Sequence, residues 1–287
     1  INNVIGSLGE ITTVCHPIFT NGIGYVNLSF DISELPFELN AYLSLLTAVF
    51  RYVDTENYTY NELSNEINIE TGGISFSLHS MFSRDSANGY MPIFEIKTKA
   101  LYNNIATALS LIEEIIFTSK IDDYKRLREI IGEIKSQVKM GLSSQGHVTA
   151  ANRALSYISP GAYFKETIEG ISFYEFIDGL DKEFDNKKEE IGVGLKTAIE
   201  HILRRDKLTI SYTGDNLLDE YKESLNHFVS RLSTGIILDK PTVEPLNKKS
   251  EGFKTASKVQ YVATAGNFID QGFSYDGSMK VMQVIFS

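Results

Sequence analysis

The 287-residue sequence has one cysteine, no tryptophan and only six prolines. A lone Cys15 excludes an internal disulfide framework and fits a reducing compartment. Basic residues are also scarce: 27 Lys and Arg stand against 37 Asp and Glu, a formal charge of -10. Nucleic acid is held by a basic face, so it is not an expected partner. No apolar run approaches the ~20 residues of a membrane-spanning helix, so no membrane partner is expected either. Metal chemistry is thinly provided for. His16, His79, His147, His201 and His227 have no His or Cys at i+2 to i+4, so the sequence contains no local metal clip. "GVGLKT" at Gly192 lacks the consecutive Gly, Lys and Ser/Thr of a phosphate loop, and no G-x-S-x-G elbow occurs.

The remaining polar candidates read as structure. Cys15 and His16 are adjacent in an extended segment, where neighbours point to opposite faces. His79 shares the polar face of a strand with Ser75 and Ser77, and His227 pairs with Glu223 on a solvated helix face. Glu129 and Glu133 lie on one helical face without a histidine partner, as on an ordinary surface helix.

What is present is a chain 43% hydrophobic and 22% charged, ordinary for a globular protein with a sizeable core. "IGYVNLSFDI" alternates as a half-buried strand does. Pro36 opens a helix whose Leu39, Tyr42, Leu43, Leu46, Val49, Phe50 and Val53 leave little polar surface, so it should be buried. A second helix, "NELSNEINIE", runs into Thr71-Gly72-Gly73. Strands "ISFSLHSMF" and "MPIFEIKTK" follow, separated by the polar loop "SRDSANGY". Helical stripes then dominate: Leu101, Ile105, Ala108, Ile112 and Ile115, followed by Tyr124, Leu127, Ile131, Ile134 and Val138 after a cap at Asp122 or Asp123. Further helices are expected in "SQGHVTAANRALSYIS", "ISFYEFIDGLDKEF" and around "TAIEHILRR". "KLTISYTG" returns as a strand, and "NLLDEYKESLNHFVSRL" as a helix.

Adjacent strands with helices grouped between them predict an α+β fold with a largely antiparallel sheet packed against helices. The prolines and charges from Leu238 onward divide the chain into a domain at 1–237, a linker at 238–257 and a new segment at 258–287. The chain opens at Ile1 and stops inside an amphipathic run, "MKVMQVIFS", which reads as a piece of a longer protein.

Five blocks, in order, carry a resemblance: "TNGIGYVNLSFDIS", "NELSNEINIETGGIS", "GHVTAANRALSYIS", "ISFYEFIDGLDKEFD" and "VQYVATAGNFIDQGFSYDGS". The chain resembles the pitrilysin/insulinase clan of zinc metallopeptidases, and most of all its presequence-protease and falcilysin branch. In an active domain of that clan the first helix carries H-x-x-E-H shortly before a Gly-Thr pair. Setting Asp54-Thr55 on that pair puts Leu45 and Val49 at the zinc-binding histidines and Ala48 at the general base. None can bind a metal or take a proton, so the resemblance implies an inactive copy with no catalytic residue and no metal ligand.

It further implies four related domains in two halves that close like a clamshell. The present chain corresponds to the third, and the segment after the linker to the start of the fourth. The parent is then a zinc metalloendopeptidase that degrades peptides. Its zinc is held by an N-terminal domain absent here, and this fragment has no cofactor of its own. The implied partners are the catalytic N-terminal half of the same parent chain and peptide substrates. Gly72, Gly73 and Ile74, where the turn enters its strand, are the substrate-binding candidates. The expected location is cytoplasmic in a bacterium and an organelle matrix in a eukaryote. The competing reading is a structural, scaffolding or peptide-binding protein of the same fold with no active partner. An H-x-x-E-H encoded upstream of Ile1 would separate the two.

Overall fold

The computed structural model describes residues 3–285 except 83–88, 216–217, 235–240, 249, 256–257, 270 and 275. The core of the "SRDSANGY" loop and parts of the 238–257 linker therefore lie outside the described residues. Six strands, β1 (Val4–Leu8), β2 (Ile11–Pro17), β3 (Ile23–Asp31), β4 (Ile74–Phe82), β5 (Tyr90–Leu101) and β6 (Leu208–Gly214), form one sheet in the order β1-β2-β6-β3-β5-β4. All neighbours pair antiparallel except β2 and β6, which run parallel. The largely antiparallel α+β expectation holds.

The β1–β2 hairpin has no counterpart in the sequence pattern. Four of the five β1 residues are exposed, so no apolar alternation marks the strand. Cys15 and His16 pair with Tyr212 and Thr213 of β6. Cys15 packs on the core, while the His16 ring lies 2.9 Å from the Asn3 side chain. They do not act together.

The helices begin where local chemistry favours them. In α1 (Leu39–Tyr52) the Leu39 amide donates to the Pro36 carbonyl, and Leu43, Leu45, Leu46 and Val49 are wholly buried. The start of α2 (Tyr60–Glu70) is a capping box: Thr59 accepts from the Glu62 amide, and the Glu62 carboxylate accepts from the Thr59 amide. Next come α3 (Ile105–Thr118), α4 (Tyr124–Ser144), α5 (Gly146–Leu155), α6 (Pro160–Glu169), α7 (Ile171–Lys182), α8 (Phe184–Ile202) and α9 (Lys222–Arg231). Asp123 caps α4, as expected. Leu101, placed in the α3 stripe by its spacing, instead ends β5 and is 60% exposed.

The sequence pattern also missed α6. Ser159 caps it and Pro160 occupies its first turn, both ordinary start signals. Gly170 separates α6 from α7, and Gly179 sits inside α7 rather than bounding it.

One face of the sheet is covered: α1 packs on β4 and α3 on β5, while α4, α6 and α8 pack against α1. Phe30, Phe94 and Ile96 fill this layer with no exposed surface. After α9 the described chain forms no helix or strand until α10 (Gly277–Ile285).

Candidate functional site

The position that would hold metal chemistry in a catalytic relative is occupied by packing. Leu45 and Val49 have no exposed surface, and Ala48 packs partly buried against the same cluster. Three apolar side chains offer no donor atom to zinc and no base to a water. A lone histidine or glutamate there would be buried without a partner, at a cost of several kcal/mol. Downstream, Thr55 is buried and exchanges hydrogen bonds with the Tyr58 backbone, and Asp54 accepts from the Tyr60 amide at 2.8 Å. The break between α1 and α2 is thus a built turn.

Glu129 and Glu133 lie on the exposed side of α4. The first pairs with Arg126 at 2.8 Å and the second accepts from Gln137 at 2.9 Å. No group of three or more His, Cys, Asp or Glu able to hold a metal ion occurs among the described residues.

The second candidate is β4, the terminal strand of the sheet. Its entry depends on two glycines. Gly73 has φ +108°, which an L side chain strains to adopt, and a Cβ on Gly72 would meet the Lys99 side chain at 2.6 Å. The turn is fixed by hydrogen bonds: Gly72 N to Lys99 O at 2.7 Å, Gly73 N to Thr71 Oγ1 at 2.9 Å, and Thr98 Oγ1 to Gly73 O at 3.0 Å. Ile74 then pairs with Thr98 and begins the strand. The structure therefore places Gly72, Gly73 and Ile74 together at the start of an edge strand. Backbone groups on such an edge can add an extended peptide as a further strand.

Behind that edge is a polar cluster that single-strand reading did not reveal. On the face away from the helices, Ser77, Glu95, Ser29 and Thr209 lie in one cross-strand row, and Ser75, Lys97, Asn27 and Ser211 in the next. Glu95 is 5% exposed. Asn27 Nδ2 donates to its Oε1 at 2.5 Å, Lys97 Nζ lies 2.5 Å from Oε2, and the His79 ring is 3.7 Å from Oε2. Ser29 Oγ donates to Asn27. His79 is thus joined to a buried carboxylate of β5 as well as to the serines of its own strand. The available signal was Glu95, Lys97 and Lys99 at i, i+2 and i+4 on a strand that is otherwise apolar.

The other histidine assignments also changed. His227 lies 2.9 Å from the buried Glu113 of α3, which Arg231 approaches at 3.4 Å, so its partner is across the helix pair rather than Glu223. His147 is exposed in the first turn of α5, and His201 Nδ1 is 2.7 Å from the Thr197 carbonyl.

The family profile for the domain associated with peptidases of family M16, subfamily C, matches residues 2–180, more than half of the chain. The chain belongs to this peptidase-associated family. It is 34% identical over 276 residues to Protein HypA of Clostridium perfringens (strain 13 / Type A), covering 96% of this chain and 28% of that one. It is 25% identical over 283 residues to Presequence protease 1, chloroplastic/mitochondrial, of Arabidopsis thaliana, covering 97% and 26%. This peptidase-associated chain thus spans little more than a quarter of the length of these relatives. Among solved structures, the peptidase M16 inactive domain from Pseudomonas fluorescens superposes with TM-score 0.57 at 14% identity, covering 85% of this chain and 54% of that one. A conserved protein from Enterococcus faecalis V583 gives TM-score 0.58 at 15% identity, covering 79% and 52%. These likenesses establish the shared fold. None of the helices described is long and apolar enough to cross a membrane.

Proposed function

We propose that this peptidase-associated chain is a non-catalytic region of a presequence-protease-like zinc endopeptidase and forms part of the wall around its peptide chamber. The zinc belongs to a catalytic N-terminal half of the same parent. Residues 1–237 form one inactive metallopeptidase-like domain, and residues 258–287 begin a related one. The observation that carries this reading is the complete burial of Leu45 and Val49 at the positions of the missing ligands. A helix kept and packed this tightly after losing its chemistry serves as a wall.

The test is metal content after dialysis together with cleavage of a fluorogenic peptide by the chain alone. The expected outcome is neither bound zinc nor chelator-sensitive cleavage. Stoichiometric zinc with such cleavage overturns the assignment.

The edge position of β4 favours a second reading, in which the wall also holds an extended peptide. Titration with a labelled presequence-like peptide separates the two. A pure wall gives only weak, salt-sensitive attraction from the acidic surface. Saturable micromolar binding that survives physiological salt and weakens on Gly73→Val establishes the peptide-binding role.

A further inference from the structure

Ionic clusters around Arg204 and Lys135 join elements of the packed body to one another. A third cluster, around Arg153 of α5, reaches a segment that otherwise runs through solvent. Arg153 is 6% exposed. Its Nη1 donates to Glu166 Oε1 of α6 and to Ser172 Oγ of α7, both at 2.9 Å. Its Nε donates to Glu251 Oε1 at 2.6 Å, and the Tyr157 hydroxyl also donates to Glu251. The rings of Tyr157 and Phe253 each lie 5.6 Å from the guanidinium. Residues 250–255 are exposed as a whole, but the Glu251 side chain, only 19% exposed, dips inward.

Two more contacts fasten the same stretch to α5. The Leu246 amide donates to the Ser156 carbonyl at 3.0 Å. The Tyr261 ring lies on Gly146, where an added Cβ would come within 2.7 Å of it. Between these contacts lies a cavity of about 640 Å³. Leu142, Ala150, Ala154 and Ile171 line it from the body, and Phe253 and Tyr261 from the opposite side.

We propose that α5 carries a seat for an acidic–aromatic peptide segment, filled in cis by Glu251-Gly252-Phe253, and that this segment is a releasable strap over the cavity. Charge balance makes release feasible. With the strap away, Arg153 and Glu166 remain a neutral buried pair, so no charge is stranded. The strap is held by one ion pair, a few hydrogen bonds and ring contacts, the scale of local opening rather than global unfolding. Tethering in cis supplies a millimolar effective concentration, so a weak seat suffices to keep it filled.

The test uses the full chain, with trypsin cleavage after Lys248 and Lys254 and hydrogen exchange at the Leu246 amide. Glu251→Gln keeps the side chain's size but loses the ion pair. It should speed strap cleavage and Leu246 exchange about tenfold, with α1 exchange and Tm unchanged. Gly146→Ala should also speed strap cleavage by displacing Tyr261, although alanine is the better helix former. A synthetic peptide of residues 244–255, added at millimolar concentration to the Glu251→Gln chain, should shift the NMR signals of α5 amides. Cleavage unchanged in both variants overturns the strap, as does a fall in Tm with loss of α1 protection in Glu251→Gln. Absence of peptide-induced shifts on α5 overturns the seat.

Discussion

Helices α1 and α10 are both rich in apolar residues, yet they have opposite fates. In α1, Leu43, Leu45, Leu46 and Val49 have no exposure, because the sheet lies on one side and α4, α6 and α8 on the other. In α10, Val281 is 60% exposed, Val284 76% and Ile285 69%. The contrast extends to the regions around them: the body up to α9 holds the core cluster, while the stretch after it has Val262 at 84% exposure. An apolar helical pattern states that burial would be favourable. Only a neighbouring surface turns it into stability.

The largest effect that sharpens this contrast is expected inside the body. Phe50, 2% exposed, lies with its ring centroid 5.1 Å from that of Phe76 in β4. Phe50→Ala should lower unfolding stability by roughly 3–5 kcal/mol, read from the urea midpoint. An unchanged midpoint would place α1 outside the cooperative unit. Next is the backbone at the β4 entry. Gly73→Val forces a β-branched residue to φ +108° and should destabilise by about 1–3 kcal/mol. A neutral result would show that the turn relaxes to another conformation and is not fixed by the body.

Acidification should also act on the body. The Lys135 and Lys182 ammonium groups hold the Asp178 carboxyl below its usual 3.8. Burial pushes Glu34 up, but hydrogen bonds from Lys207 and Arg204 outweigh it and leave Glu34 below 4.5. Groups lowered in the folded state stabilise it above their unfolded pKa, and that stability is lost as pH falls through the folded value. Burial raises Glu166, and its contribution runs the other way. With Glu114, Glu62 and Glu183 also lowered, the net expectation is a Tm that falls from about pH 5 downward. Glu34→Gln and Asp178→Asn should flatten that fall. A Tm that rises on acidification would mean that Glu166 dominates.

The smallest effect belongs to the tail. Val284→Asp, on an exposed turn of α10, should shift stability by no more than about 0.5 kcal/mol. A loss of several kcal/mol would erase the contrast between the two helices.

Much of the fold was legible one element at a time. Alternation in Ile23–Asp31, the near-continuous apolar surface of α1, the Gly72-Gly73 turn and the strands after it follow from side-chain period and backbone freedom, both local properties. The apolar residues at 45, 48 and 49 were readable as absent chemistry because donor atoms belong to residue types. The β1–β2 hairpin was not legible, since its outer strand buries one residue in five and gains its place by pairing beside β6, nearly two hundred residues later. The same distance hid the polar sites. Glu95 meets Asn27 across 68 residues, Glu113 meets His227 across 114, and Arg153 meets Glu251 across 98.

By itself the sequence determined the composition of the core, the fold class and the loss of metal ligands, because each is set by residue type and short-range spacing. Tertiary structure alone decided which carboxylates are buried with which cations and which apolar faces are covered. Coulombic pairing and burial depend on distances across space, and chain folding sets those independently of separation along the sequence.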